Sequence, residues 1–176
     1  MNPEAPLYER DPEAWNAYLA EGNAKQARKR VGADVLIRDE HGRILLVDPK
    51  YKPDWDLPGG MAEANESPAA AARREIKEEL GLDLEIGRLL VVDWVPPHAP
   101  WDDSLMFIFD GGTIATDLSR SIVPMDDEIL QARFHPATDA QNLLRPYVWR
   151  RLHAALNSLK SYTPTYLEYG FPHRGI

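Results

Sequence analysis

Cysteine is missing from all 176 residues. That absence excludes disulfide frameworks, Cys-ligated zinc, iron–sulfur clusters and any thiol nucleophile. Positive charge is also scarce, with 20 Lys and Arg against 28 Asp and Glu, a formal net charge of −8. So acidic a chain lacks the basic footprint used to track a phosphate backbone, and nucleic acid is not an expected partner. No run approaches the roughly 18 consecutive apolar residues of a membrane span. Met1 to Arg30 shows no apolar stretch flanked by a small-residue cleavage site. A cytoplasmic protein with no membrane role is therefore expected. The five histidines, His41, His98, His135, His153 and His173, are scattered and show no metal-ligand spacing.

What is present suits one domain at roughly 100–200 residues per domain. Residues 1–10 read as a loose lead-in. Asp11 then serves as an N-cap with Pro12 in the first turn, and Trp15, Tyr18 and Leu19 follow at helical spacing, with Gly22 as the expected end. Val31, Ala33, Val35 and Ile37 alternate as a strand. Asp39-Glu40-His41-Gly42 makes a turn, and Arg43 to Asp48 returns as its partner. Three prolines break Pro49 to Pro58 into irregular chain. Leu82 to Val95 offers one or two strands around Gly87. Further strands are expected at Ser104–Phe109, ended by Asp110-Gly111-Gly112, and at Ile129–Phe134. Arg145 to Leu159 reads as a closing helix, with Val148, Leu152, Ala155, Leu156 and Leu159 on one face. Strands and helices mixed in this order suit a sheet packed between helices.

The most informative stretch is a helix predicted from Pro68 to Leu80. Ser67 is a favoured N-cap, Pro68 suits the first helical position, four alanines are strong helix formers, and Gly81 suits a left-handed cap. At about 100° per residue, Ala69, Ala72, Ile76 and Leu80 fall on the side expected to face a core. Glu75, Glu78 and Glu79 share a neighbouring arc. Like charges at these spacings destabilise a bare helix by a few tenths of a kcal/mol per pair, roughly. The helix dipole also disfavours anions near its C-terminus. Either solvation with pairing to Arg73, Arg74 and Lys77, or a bound divalent cation, relieves that conflict.

Gly60, five residues, Glu66, seven residues, Arg74-Glu75-Ile76, one residue, Glu78-Glu79, one residue, and Gly81-Leu82 together resemble the Nudix box. The preceding Trp55-Asp56-Leu57-Pro58-Gly59-Gly60 resembles the usual lead-in of that superfamily. The resemblance implies an α/β fold, a Nudix-like α/β/α sandwich with a central mixed β-sheet. It would span residues 30–160, behind an N-terminal extension with a helix (1–29) and ahead of an aromatic C-terminal tail (161–176). Tyr162, Tyr166, Tyr169 and Phe171 mark that tail, which is expected to wrap the domain or pack on a second subunit, as in a homodimer.

The resemblance also implies hydrolysis of a diphosphate linkage in a small nucleoside diphosphate derivative. Mg²⁺ or Mn²⁺ is the implied cofactor, because hard cations prefer clustered oxygen ligands. Glu75, Glu78 and Glu79 are the implied metal ligands, with Gly60 contributing a carbonyl. Arg74 would hold a carboxylate in place, and Glu66 would anchor the loop. Either Glu78 or Glu128, in the acidic Met125-Asp126-Asp127-Glu128 loop, would take a proton from the attacking water. For substrate, Lys50, Lys52 and Arg43 are candidates to hold phosphate oxygens, and Trp94 and Trp101 to stack on a base or sugar. A proline about fifteen residues past the box resembles the marker of the ADP-ribose pyrophosphatase subgroup. The isomerase branch on the same fold uses a catalytic cysteine, absent here. A non-catalytic nucleotide-sensing module is the alternative, and the intact acidic positions favour the enzyme.

Overall fold

The computed structural model describes residues 5–173. Two helices open it, α1 (Leu7–Arg10) and α2 (Pro12–Lys25). The expected loose lead-in is thus helical from Leu7, and its residues 1–4 lie outside the described residues. Asp11 caps α2 as expected, its carboxylate accepting the Ala14 N–H at 2.9 Å. Gly22 does not end that helix, which runs a further turn to Lys25 on its exposed surface.

One eight-stranded sheet follows, built from β1 (Arg30–Asp39), β2 (Ile44–Pro49), β3 (Gly59–Met61), β4 (Leu89–Val95), β5 (Ser104–Ile114), β6 (Ile129–His135), β7 (Thr165–Glu168) and β8 (Phe171–Pro172). The order is β6-β2-β1-β5-β4-β7-β8, with β3 paired to β1. β1 pairs with β5 and β4 with β7 in parallel, and the remaining pairs are antiparallel, so the sheet is mixed. Between strands lie α3 (Pro68–Leu80), α4 (Thr116–Ser121), α5 (Ala137–Leu143) and α6 (Pro146–Ser161).

Alternation in the strands divides the core into two layers. Val35 and Ile37 of β1, with Leu45 and Val47 of β2, pack on one face beneath Ala71, Ala72, Ile76 and Leu80 of α3. Leu36, Ile44, Leu46 and Ile108 pack on the other beneath Ala140 of α5 and Val148, Leu152 and Ala155 of α6. Fully burying an Ile or Leu side chain contributes about 1.5–3 kcal/mol, so these stripes hold all three helices down. The α/β/α sandwich is therefore as expected.

Several local expectations are corrected. Ala69 is exposed and Ala71 is buried instead, while Ala72, Ile76 and Leu80 face the sheet as expected. The glycine pair does not end β5. Gly111 continues the strand because a side chain there would run into Val35 and Ile37 of β1. Of the one or two strands expected around Gly87, one forms, and it starts beyond that glycine at Leu89. The aromatic tail adds β7 to the sheet beside β4, burying Leu167 completely. Among the described residues no helix is long and apolar enough to cross a membrane.

Candidate functional site

α3 starts and stops as its sequence dictates. The Ser67 hydroxyl accepts the Ala70 N–H at 3.2 Å, and Gly81 closes the helix in the left-handed region at φ +66°. Arg74 then ties its acidic face to the preceding loop. Its guanidinium donates to Glu66 at 2.9 and 3.0 Å, to Glu75 and Glu78 at 2.9 Å each, and to the Met61 carbonyl at 3.1 Å. Those Arg74 bonds, then the Glu63 N–H, hold the Glu66 carboxyl down at about 2.

Glu79 turns inward. Its carboxylate accepts the Gly59 N–H at 3.0 Å, yet burial pushes its pKa up to about 8, helped by the charges of Glu75, Asp34 and Asp126. Burial also raises Glu75, against the opposing pull of Arg74. Both carboxylates press on the strand backbone at Gly59-Gly60. A Cβ on Gly60 would sit 2.5 Å from the Glu75 carboxylate carbon, and one on Gly59 would sit 2.3 Å from the Ala33 carbonyl oxygen. Gly59 also holds φ +141°, a conformation that a side chain would strain.

The groups gathered here are the Glu75 and Glu79 carboxylates beside the Gly59-Gly60 backbone, hard oxygen donors that fit a divalent cation such as Mg²⁺ or Mn²⁺. Crowded, half-buried carboxylates with raised pKa values are relieved by such a charge. Among the described residues no three Asp, Glu or His side chains surround a single point. Arg74 draws Glu78 outward, leaving its side chain 56% exposed.

Beside this ridge opens a cleft of about 500 Å³. Of the residues singled out in the sequence, Glu79, Gly60, Lys52 and Trp101 line it. Lys52 pairs with Asp56, and the Arg30 guanidinium lies 4.4 Å from the centre of the Trp101 ring. Arg74, Glu75 and Glu78 stand on the ridge outside the lining. Lys50 is exposed, and its N–H donates to the Glu128 carbonyl at 2.8 Å. Trp94 lies outside the lining, its indole N–H donating to Asp103 at 2.8 Å, and Arg43 is held by Asp39 at 2.6 Å. The Glu128 side chain is exposed, but its loop docks on α3 through the Met125 N–H, 2.8 Å from the Glu79 carbonyl.

The NUDIX domain profile matches residues 28–155. The chain belongs to the Nudix family. Among relatives of this Nudix chain, a Bacillus subtilis protein provisionally named 8-oxo-dGTP diphosphatase is 52% identical over 50 residues, 28% of this chain and 34% of its own length. A human diphosphoinositol polyphosphate phosphohydrolase is 28% identical over 143 residues, 81% of this chain and 68% of its own. The first of these matches thus spans about a third of the relative's length. A MutT protein from Methanosarcina mazei superposes with a TM-score of 0.64 at 21% identity, covering 77% of this chain and 99% of that one. At that identity the likeness speaks for the fold.

The Nudix box accounts for the ridge and not for the cleft floor. Asp34 of β1 and Arg151 of α6 line the cleft and pair at 3.5 Å, with only 6% and 2% of their surfaces exposed. Burial, then the nearby Asp56 charge, pushes Asp34 up to about 7 in spite of Arg151. Arg145, Tyr147, Tyr51 and Arg30 complete the missed lining. A signal for two of them stands in the sequence: Asp34 interrupts an apolar strand, and Arg151 lies on the apolar face of the closing helix beside Val148 and Leu152.

Proposed function

We propose that this Nudix domain is a divalent-metal-dependent pyrophosphohydrolase acting on a small nucleoside diphosphate derivative. The observation that carries this reading is the convergence of Glu75, Glu79 and the Gly59-Gly60 backbone beside a cleft of about 500 Å³. Glu75, Glu78, Glu79 and the Gly60 carbonyl would hold Mg²⁺ or Mn²⁺. When bound, the metal neutralises phosphate charge and lowers the pKa of a coordinated water.

The chain's own residues do the rest. Arg74 sets the direction of Glu75 and Glu78 by hydrogen bonds to both. Glu78, on the ridge, and Glu128, on the loop docked against Glu79, are the two carboxylates that can take the proton of the attacking water, and their variants separate them. Lys52, Arg145 and Arg30 place cationic groups in the cleft for phosphate oxygens, and Trp101 offers a ring face to a base or sugar. Lys50 and Trp94, outside the lining, are assigned no substrate contact. The named relatives point to the same class, since a diphosphatase and a polyphosphate phosphohydrolase stand among them.

A phosphate-release screen with Mg²⁺ over ADP-ribose, nucleotide sugars, dinucleoside polyphosphates, oxidised nucleoside triphosphates and NADH tests the reading. Turnover confined to one class and abolished by EDTA supports it. Inactivity across the panel overturns it, and tight binding without turnover would make the domain a nucleotide sensor.

A further inference from the structure

We propose that the C-terminal hairpin, β7 and β8, positions the cleft, its floor through Arg151 and one wall through Tyr147. The inference rests on the reading that this cleft takes the substrate. It starts from Asp93 on β4, which is fully buried and does not line the cleft. One oxygen of Asp93 accepts the Nε–H of Arg151 at 2.9 Å, and the other accepts the Gly170 N–H at 2.9 Å, in the turn between β7 and β8. Arg151 reaches past Asp93 to Asp34 in the cleft floor. Two hydrogen bonds and one ion pair thus connect the tail turn to the cleft.

A second contact runs parallel to the first. The Tyr169 ring stacks on Tyr147 with centroids 5.1 Å apart and planes 17° apart, and Tyr147 lines the cleft. The Tyr169 N–H donates to the Trp94 carbonyl at 2.8 Å, and Arg150 donates to the Tyr169 carbonyl at 3.0 Å, so the backbone that carries the ring is held at both its polar groups. Arg151 suits this role because a rigid planar fork can satisfy two carboxylates at fixed angles, where a lysine ammonium is a flexible point charge. Asp34 alone, a buried carboxylate beside Asp56, would have no fixed direction.

The test uses the full chain and variants outside the cleft. Asp93→Asn and Tyr169→Ala should each raise KM for the screened diphosphate that wild type hydrolyses fastest, by about five- to tenfold and two- to fivefold respectively. In both, kcat should stay within about twofold, because the ridge is untouched. Tyr169→Phe, which keeps the stacked ring, should restore the wild-type KM. Amide hydrogen exchange should also rise in both variants at residues 30–36 and 146–152. Should Asp93→Asn fail to fold, the exposed Tyr169→Ala decides. Wild-type exchange and KM in the variants would overturn the proposal. A wild type that hydrolyses nothing would overturn the hydrolase reading instead, while the exchange measurement would still decide whether the tail governs the floor.

Discussion

The ridge on α3 and the floor of the cleft are both carboxylates held by one arginine, yet they are assembled in different ways. On the ridge, Arg74 gathers Glu66, Glu75 and Glu78, all within thirteen residues of chain and partly open to water, with the Arg74 side chain 25% exposed. In the floor, Arg151 gathers Asp34 and Asp93 from three separate elements, and no side chain of the three exceeds 8% exposure. Exposed pairs are screened and contribute little, whereas removing one partner of a buried set leaves an uncompensated charge. The partly exposed ridge can therefore adjust its contacts when a cation binds, whereas the buried floor resists rearrangement. Chemistry that must move sits on the first, and shape that must persist sits on the second.

The largest expected effect falls on the floor. Arg151→Met should destabilise the fold by about 3–5 kcal/mol, because two carboxylates stay buried without their partner. Arg74→Met on the ridge should cost less, because its carboxylate partners, with side chains 16–56% exposed, regain water when the guanidinium is removed. Urea denaturation of the two variants checks this, and equal losses would break the comparison.

Next comes Glu79→Gln. Losing even an outer partner of a metal ligand costs about 10–100-fold, so losing a direct ligand should slow Mg²⁺-dependent turnover by at least about 100-fold. The fold should stay intact, since the replacement is neutral where burial already opposes the charge. Calorimetry in buffers of differing ionisation enthalpy adds a second readout. Because burial raises Glu79, Mg²⁺ binding near neutral pH should displace a proton from the wild-type side chain, and the variant has none to release there. Glu78→Gln and Glu128→Gln then assign the base, which should slow turnover by about 10²–10⁴-fold in one of the two.

Acidity separates the regions with opposite signs. Asp34 is raised from 3.8 to about 7 by burial, so between those values the native state binds more protons than the unfolded chain and stability falls as pH rises. Glu66 is lowered from 4.5 to about 2 by Arg74, so its contribution is present above about pH 4.5 and is lost as pH falls through 2. Urea midpoints from pH 3 to 8 should show Asp34→Asn flattening the fall with rising pH, with a remainder from Glu79, which shares the direction. Glu66→Gln should change only the acid limb.

These two regions also differ in how far the sequence declares them. Ser67, Pro68, the alanines and Gly81 specify α3 by local propensity, and 3.6 residues per turn places its glutamates together, so the ridge is legible from one contiguous stretch. The sandwich is legible for a similar reason, because alternation in β1 and β2 and the stripe on α6 assign each residue a face. The floor depends on which strands become neighbours. Asp34, Asp93 and Arg151 meet only once β1, β5 and β4 are laid side by side and α6 crosses them, and no local pattern states that order. Tail strand β7 was hidden similarly, since four residues with a single buried Leu167 carry too little periodicity to read. Lys50 and Trp94, close in sequence to the box and its following loop, stand outside the cleft lining, the first exposed and the second bonded to Asp103.

The smallest effect sharpens the contrast most. Ser67 contributes one hydrogen bond at the start of α3, at 3.2 Å to Ala70, and lies at the surface. Replacing such a cap by alanine costs about 1 kcal/mol, so Ser67→Ala should lower the urea midpoint slightly. Fraying the first turn loosens the loop that carries Glu66 and leaves the second half of α3 pinned by Ile76 and Leu80. The concentration of Mg²⁺ needed for half-maximal activity should therefore rise modestly, while KM at saturating Mg²⁺ stays at its wild-type value. A raised KM in this variant would mean that ridge and floor share one mechanical unit, and the division between them would fail at its weakest joint.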